Sequence, residues 1–116
     1  MVTVGVDLVE AKRFRPYCTA RGRTHRFVLK TFSKAERTYC FSFRDAAPHL
    51  AGTFAGKEAV QKATGIFSTP LTQLEIRRTT SGKPEVWVRG KRSRSISVSI
   101  SHTKDVACAI VLCQSR

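Results

Sequence analysis

Apolar and polar positions alternate with a period of two near both ends of the chain and fall at helical spacing in the middle. Val2 to Val9 alternates, with Val2, Val4 and Val6 on one face and Asp7 at the inner end of the run, which predicts an N-terminal strand. Pro16 suits a helix start or a break, so short helical pieces are expected between Glu10 and Lys30, around a loop near Arg21 to Thr24. Ser33-Lys34-Ala35-Glu36 is a capping box, opening a helix through about Phe43. Asp45 and Pro48 supply start signals for a longer helix that Gly65 ends.

That longer helix, Leu50 to Gly65, is the centre of the chain. Projected at about 100° per residue, Leu50, Ala51, Phe54, Ala55 and Ala59 share one broad arc. Glu58 and Lys62 fall within the arc, one turn apart, whereas Lys57 and Gln61 lie at its edge and are freer to point outward. Gly52, Gly56, Ala59 and Ala63 leave a shallow strip along which another backbone can approach closely.

The last third turns to strands. Leu74 to Thr80 is strand-like, Ser81-Gly82-Lys83-Pro84 is a turn, and Glu85 to Arg89 pairs back as a hairpin. Gly90 to Arg94 is a short basic connection. Ser95 to Ser101 alternates strictly, with Ile96, Val98 and Ile100 on one face and serines on the other. His102 to Asp105 makes a tight connection into Val106 to Cys113, a nearly continuous apolar strand. These elements predict a single α+β domain over 1–116, with a mostly antiparallel sheet, one long central helix and short N-terminal helices.

Charge changes the picture more than composition does. A hydrophobic fraction of 41% over 116 residues is ordinary for a chain that buries a core. Twenty-one Lys and Arg against eight Asp and Glu give a formal net charge of +13, which favours polyanionic or acidic partners. The densest basic block holds Lys12, Arg13, Arg15, Arg21, Arg23, Arg26 and Lys30, interleaved with Phe14, Tyr17 and Phe27. It is either a solvated face or a docking surface. A nucleic-acid-binding module would carry such charge, but the strands lack the paired aromatics of an RNA-binding sheet. That reading also leaves a carboxylate on the first strand and another inside the central helix without a role.

The four cysteines form no C-x-x-C and have no histidine at metal-ligand spacing, so free thiols in a reducing compartment, the cytoplasm, are expected. VTVGVDLV is too short for a membrane span. From the residues alone, Asp7 is a turn former or a ligand. Glu58 and Lys62 are a surface ion pair or a functional one.

Four blocks taken together carry a resemblance. GVDLVE at the N-terminus, FAGKEAVQKA in the centre, the GKP turn, and SISHTKDVACAIV stand in the order and spacing of the holo-acyl-carrier-protein synthases, the small 4'-phosphopantetheinyl transferases. The likeness covers nearly the whole chain. It implies that fold, and transfer of the phosphopantetheine arm of coenzyme A to a serine of an acidic acyl carrier protein, releasing adenosine 3',5'-bisphosphate. It also implies Mg²⁺, a setting in fatty-acid and lipid metabolism, and a homotrimer with active sites between subunits, with no nucleic acid or membrane as partner.

Residue by residue, Asp7 and Glu58 match the family's metal ligands and Lys62 its phosphate-binding lysine. A carboxylate pair of this kind suits a hard cation that keeps positions for water and phosphate oxygens, and a water held there or by Asp7 is the route for the serine proton. His102 and Thr103 match the family's S-H-[ST] element near the coenzyme; a hydrogen-bonded turn histidine is the alternative. Gly82, Lys83 and Pro84 match the loop at the nucleotide end, which approaches the metal site of a neighbouring subunit. Arg13 matches a carrier-docking position, and Arg21, Arg23 and Arg26 fall in the same region at shifted spacing. Lys57 is structural or close to a phosphate. One departure stands out: many relatives read L-A-[GA]-R-[FW]-A-A-K-E where this chain reads LAGTFAGKE. Thr53 thus replaces an arginine expected to contact a coenzyme phosphate, so either a nearby cation substitutes or the coenzyme is held more weakly.

Overall fold

The computed structural model describes residues 1–114. In chain order the elements are β1 (Val2–Glu10), α1 (Arg26–Thr31), α2 (Lys34–Cys40), α3 (Ala47–Thr64), β2 (Leu74–Arg78), β3 (Pro84–Val88), β4 (Lys91–Arg92), β5 (Ile96–His102) and β6 (Val106–Gln114). A 3-10 helix occupies Ala11–Tyr17, and single 3-10 turns occupy Gly22–Thr24 and Leu71–Gln73. The strands form two antiparallel sheets, ordered β1-β6-β5 and β2-β3-β4. The hairpin strand β3 lies beside β5 without a hydrogen-bonded ladder joining the sheets.

The capping box forms as expected: Ser33 Oγ accepts from Glu36 N, and Glu36 Oε1 accepts from Ser33 N. The helix it opens stops at Cys40, earlier than the sequence suggested. Asp45 does not cap α3. Its carboxylate instead accepts from Arg15 NH1 at 3.1 Å, and Ala46 stands at the N-cap without a side-chain bond. Pro48 lies in the first turn, where its missing N–H costs nothing. Gly65 closes the helix in the left-handed region at φ 73°, its N–H bonded to the Gln61 carbonyl.

α3 is enclosed on two sides, packing on β1, β6 and β5 and also on α2, β2 and the Ala11–Tyr17 turn. The strip of small residues is used in two ways. A Cβ on Gly5 would lie 2.0 Å from the Ala59 carbonyl oxygen, so the β1 main chain rests directly on the α3 main chain. Gly52 and Gly56 instead receive the side chains of Ile100 and Ile76.

This enclosure overturns the expected placement of Lys57. Rather than pointing outward, Lys57 has no exposed side-chain surface and pairs with the equally buried Glu36, Nζ to Oε1 at 2.6 Å. It also donates to the Leu74 carbonyl at 2.9 Å and to the Leu71 carbonyl. A single apolar arc marks the buried face only when a helix packs on one side. Here the opposite side is buried as well.

β1 is likewise turned from the simplest reading of its pattern. Thr3, Gly5, Asp7 and Val9 face α3, while Val2, Val4, Val6 and Leu8 are each more than half exposed. Ile110 and Leu112 of β6 extend that exposed apolar face.

Candidate active site

Three expected residues converge where β1 passes the second half of α3. The Asp7 side chain is nearly buried, and its Oδ1 accepts from Lys62 Nζ at 3.1 Å. Lys62 also donates to the Val6 carbonyl at 3.0 Å, so its ion pair is with the strand, not with Glu58 one turn back. Glu58 is half-buried against this pair. Its carboxyl is held above the ordinary glutamate value first by burial and then by the negative charge of Asp7, with Arg13 and Lys62 pulling the other way. Two carboxylates therefore share one small region.

Asp7 Oδ2 is buried and has no hydrogen-bond partner. An orphaned carboxylate oxygen beside a second carboxylate, with hard oxygen donors only, fits a divalent cation of the Mg²⁺ type. Among the described residues no group of three or more His, Cys, Asp or Glu could hold a metal ion. A cation here would thus complete its shell from water and ligand phosphate. The site opens into a hollow of about 470 Å³ lined by Val6, Asp7, Leu8, Lys62 and Cys108. Cys108 carried no sequence signal for this place beyond its outward position on β6.

A second group gathers at the other end of α3. Gly82, Pro84 and His102 line a cavity of about 130 Å³ with Tyr39, His49 and Arg78. The His102 ring meets that of His49 edge-on, centroids 4.9 Å apart, and His49 stacks on Phe43 at 3.5 Å. Thr103 Oγ1 accepts from the backbone of Asp105 and Val106, which shapes the turn between β5 and β6. Lys83 faces a separate hollow of about 360 Å³, shared with Arg92 and Arg94. His49 precedes Glu58 by nine residues, a rise of about 13 Å along the helix. Within one chain the two groups do not meet.

The arginines divide in the same way. Arg13 lies over the Phe54 and Phe14 rings, at 5.3 and 5.8 Å, close enough to Glu58 to pull its carboxyl down. Arg21, Arg23 and Arg26 are exposed, Arg23 over the Phe41 ring at 4.8 Å. Tyr39, His49 and Arg78 were not foreseen. The departure at Thr53 was the one hint, because Thr53 Oγ1 accepts from Arg78 NH1 at 3.1 Å.

A fold with two carboxylates on a strand–helix contact and a small basic cavity at the far end of the same helix defines a class that comparison makes explicit. The family model for the 4'-phosphopantetheinyl transferase superfamily matches residues 3–111. A holo-[acyl-carrier-protein] synthase of Thermodesulfovibrio yellowstonii is 39% identical over 94% of this chain and 95% of its own length. One from Chlamydia trachomatis serovar L2 is 36% identical over 98% of this chain and 100% of its own. Among solved structures, an ACPS-CoA complex of Chronobacterium ammoniagenes superposes with TM-score 0.78 at 28% identity, covering 100% of this chain and 98% of that one. A Bacillus anthracis holo-(acyl-carrier-protein) synthase in complex with CoA gives 0.77 at 26% identity, covering 98% and 96%. The chain belongs to the 4'-phosphopantetheinyl transferase superfamily and, within it, to the holo-[acyl-carrier-protein] synthases. It is an enzyme of that class.

Proposed function

We propose that this chain, as one transferase domain in the cytoplasm, moves the 4'-phosphopantetheine group of coenzyme A onto a serine of an apo acyl carrier protein, releasing adenosine 3',5'-bisphosphate. The observation that carries the reading is the meeting of Asp7, Glu58 and Lys62, with one Asp7 oxygen buried and unpartnered. Asp7 and Glu58 would hold Mg²⁺, whose chemistry is neutralisation of the diphosphate and of the charge that develops during transfer. Asp7 also holds the water that takes the proton of the carrier serine as its oxygen attacks phosphorus. Lys62, exposed enough to turn toward the hollow, steadies the departing phosphate. Gly82, Lys83, Pro84, His102 and Thr103 receive the nucleotide end.

Two features support active sites built between copies of the chain. The exposed face of Val2, Val4, Val6, Leu8, Ile110 and Leu112 is a contiguous apolar surface of the kind that subunits cover. The metal-fit group and the nucleotide group also stand at opposite ends of α3, so a neighbour's cavity is what brings them together. The exposed Arg21, Arg23 and Arg26 suit an acidic carrier, whose approach they would speed and orient.

The test is mass spectrometry of an apo acyl carrier protein incubated with this protein, coenzyme A and Mg²⁺. A gain of one phosphopantetheine is expected, vanishing with EDTA, Asp7→Ala or Glu58→Ala. No gain with several carriers, or a gain that persists in either variant, refutes the proposal.

A further inference from the structure

A gap separates the two sheets along part of their length. It is a hollow of about 360 Å³, with Ile96 and Val98 of β5 among its walls and Lys83, Glu85, Arg92 and Arg94 around it. β5 is an edge strand of its sheet, and β3 stands beside it without a ladder of hydrogen bonds. The orientation of the β5 main chain follows from its two ends. The Ser95 carbonyl accepts from Gln114 N at 2.8 Å, and Thr103 N donates to the Val106 carbonyl at 2.8 Å. Bonding alternates along an antiparallel ladder, so the odd-numbered residues of β5 bond to β6. Ile96 and Val98 therefore turn their N–H and C=O groups away from β6, toward the free edge. Among the described residues no hydrogen bond from another element reaches either main chain.

An edge with free donors and acceptors is a template for another strand. Charge decides which strand. Arg92 is offset by Glu85, NH1 to Oε2 at 3.3 Å. Among the described residues Lys83 and Arg94 form no ion pair, and both are exposed. Two unbalanced cations, on a chain of formal net charge +13, repel a second copy of that chain and attract carboxylates. The side chains of Ile96 and Val98 are half-buried and lie on one face of β5. Directly opposed residues of paired strands share a face. The strand that fits best sets apolar residues against Ile96 and Val98 and carries acidic residues between them.

We propose that β5 takes an extended acidic segment of a partner protein as an added strand, its main chain bonding to Ile96 and Val98 and its carboxylates meeting Lys83 and Arg94. Main-chain bonding supplies attachment, and the cations select for acid. This surface lies apart from Asp7, Glu58 and Lys62, and the proposal stands independently of the transferase reading.

The experiment is fluorescence anisotropy of a labelled heptapeptide that alternates glutamate and valine, mixed with the whole chain. The peptide should bind, more weakly as salt is raised, and its counterpart with lysine in place of glutamate should not. Arg92→Glu combined with Arg94→Glu should weaken binding by roughly tenfold or more, as reversal of charges facing an anionic partner does. Arg94→Glu alone, which breaks no ion pair, should give an intermediate loss. Methylating alternate amide nitrogens along one edge of the peptide should abolish binding, and methylating the other edge should leave it, because only one edge faces β5. Hydrogen exchange followed by NMR should show the Ile96 and Val98 amides gaining protection with the peptide present. Absence of binding by the glutamate peptide overturns the proposal, as does equal binding of the lysine peptide. Equal tolerance of both methylated forms, meaning charge adsorption without strand pairing, overturns it too. So does an affinity unchanged in the double variant.

Discussion

Replacing Lys57 by methionine removes a cation from the core while keeping most of the side-chain volume. Glu36 would then sit with no exposed surface and no counter-charge, retaining backbone donors from Ser33 and Ile76, each at 2.8 Å. Removing one partner of a buried pair costs about 3–5 kcal/mol, and the two retained N–H donors place the expected loss near 3 kcal/mol at pH 7. For a chain of this size that corresponds to a Tm lowered by about 12 °C.

The loss should depend on pH with a definite sign. Burial raises the Glu36 carboxyl above its ordinary value, and Lys57 is the largest influence opposing that rise. Without Lys57 the carboxyl rises further. A carboxyl raised in the native state binds more protons there than in the unfolded chain, so acid favours the native state. The deficit of the variant is therefore full at neutral pH and shrinks as pH falls toward the ordinary glutamate range. Thermal and urea unfolding followed by circular dichroism at pH 7 and pH 5 would measure it. Glu36→Gln added to Lys57→Met should recover part of the loss, since no charge then remains buried. At temperatures where it is folded, the single variant should turn over within a few-fold of wild type, because Lys57 points toward Glu36 and the Leu71 and Leu74 carbonyls. A loss under about 1 kcal/mol at pH 7, or one that does not diminish at pH 5, would refute the reasoning.

Other perturbations give sharper or simpler readouts. Gly5→Ala forces a Cβ to within 2.0 Å of the Ala59 carbonyl oxygen, and should cost at least about 3 kcal/mol in urea unfolding; a well-folded variant would contradict the contact. Val4→Glu should lower the particle mass by light scattering and abolish transfer while leaving the helical circular dichroism intact, and an unchanged mass would contradict the subunit face. Cys40 is fully buried with its thiol pushed up to about 11, so N-ethylmaleimide at pH 8 should spare it until denaturant is added, as peptide mass spectrometry would report. Arg13→Ala and Arg26→Ala should each raise KM for the carrier protein more than for coenzyme A, both side chains being exposed; equal rises for either variant would remove that arginine from docking.

Most local signals survived into the structure, Asp45 as a helix start being the exception. The capping box at Ser33, the left-handed Gly65 and the Gly82 turn are set by a few neighbouring residues, and each is where the sequence predicted it. The period of β1 was equally legible. Which of its faces meets α3 was not, because alternation names two faces without saying which one a helix will cover. Lys57 was misplaced for a related reason: its partner Glu36 lies 21 positions away, and a helical projection contains no second packing surface. The site divides along the same line. Asp7, Glu58 and Lys62 were found through motif blocks, and the fold adds that Lys62 reaches across to β1. Arg78, Tyr39 and His49 belong to no motif, and their meeting depends on how the hairpin folds over α3.

The contact at Gly5 has a bearing on how sequences of this kind can drift. Asp7 is two residues beyond Gly5, and Glu58 directly precedes Ala59. The spacing of the two carboxylates is therefore set by main chain lying on main chain, not by the rotamers of core side chains. Phe14, Phe32 and Phe54 can be exchanged and repacked over generations with little transmitted to that spacing. A lineage can thus rebuild most of its interior while the geometry of its chemistry stays fixed, provided one position keeps no side chain at all.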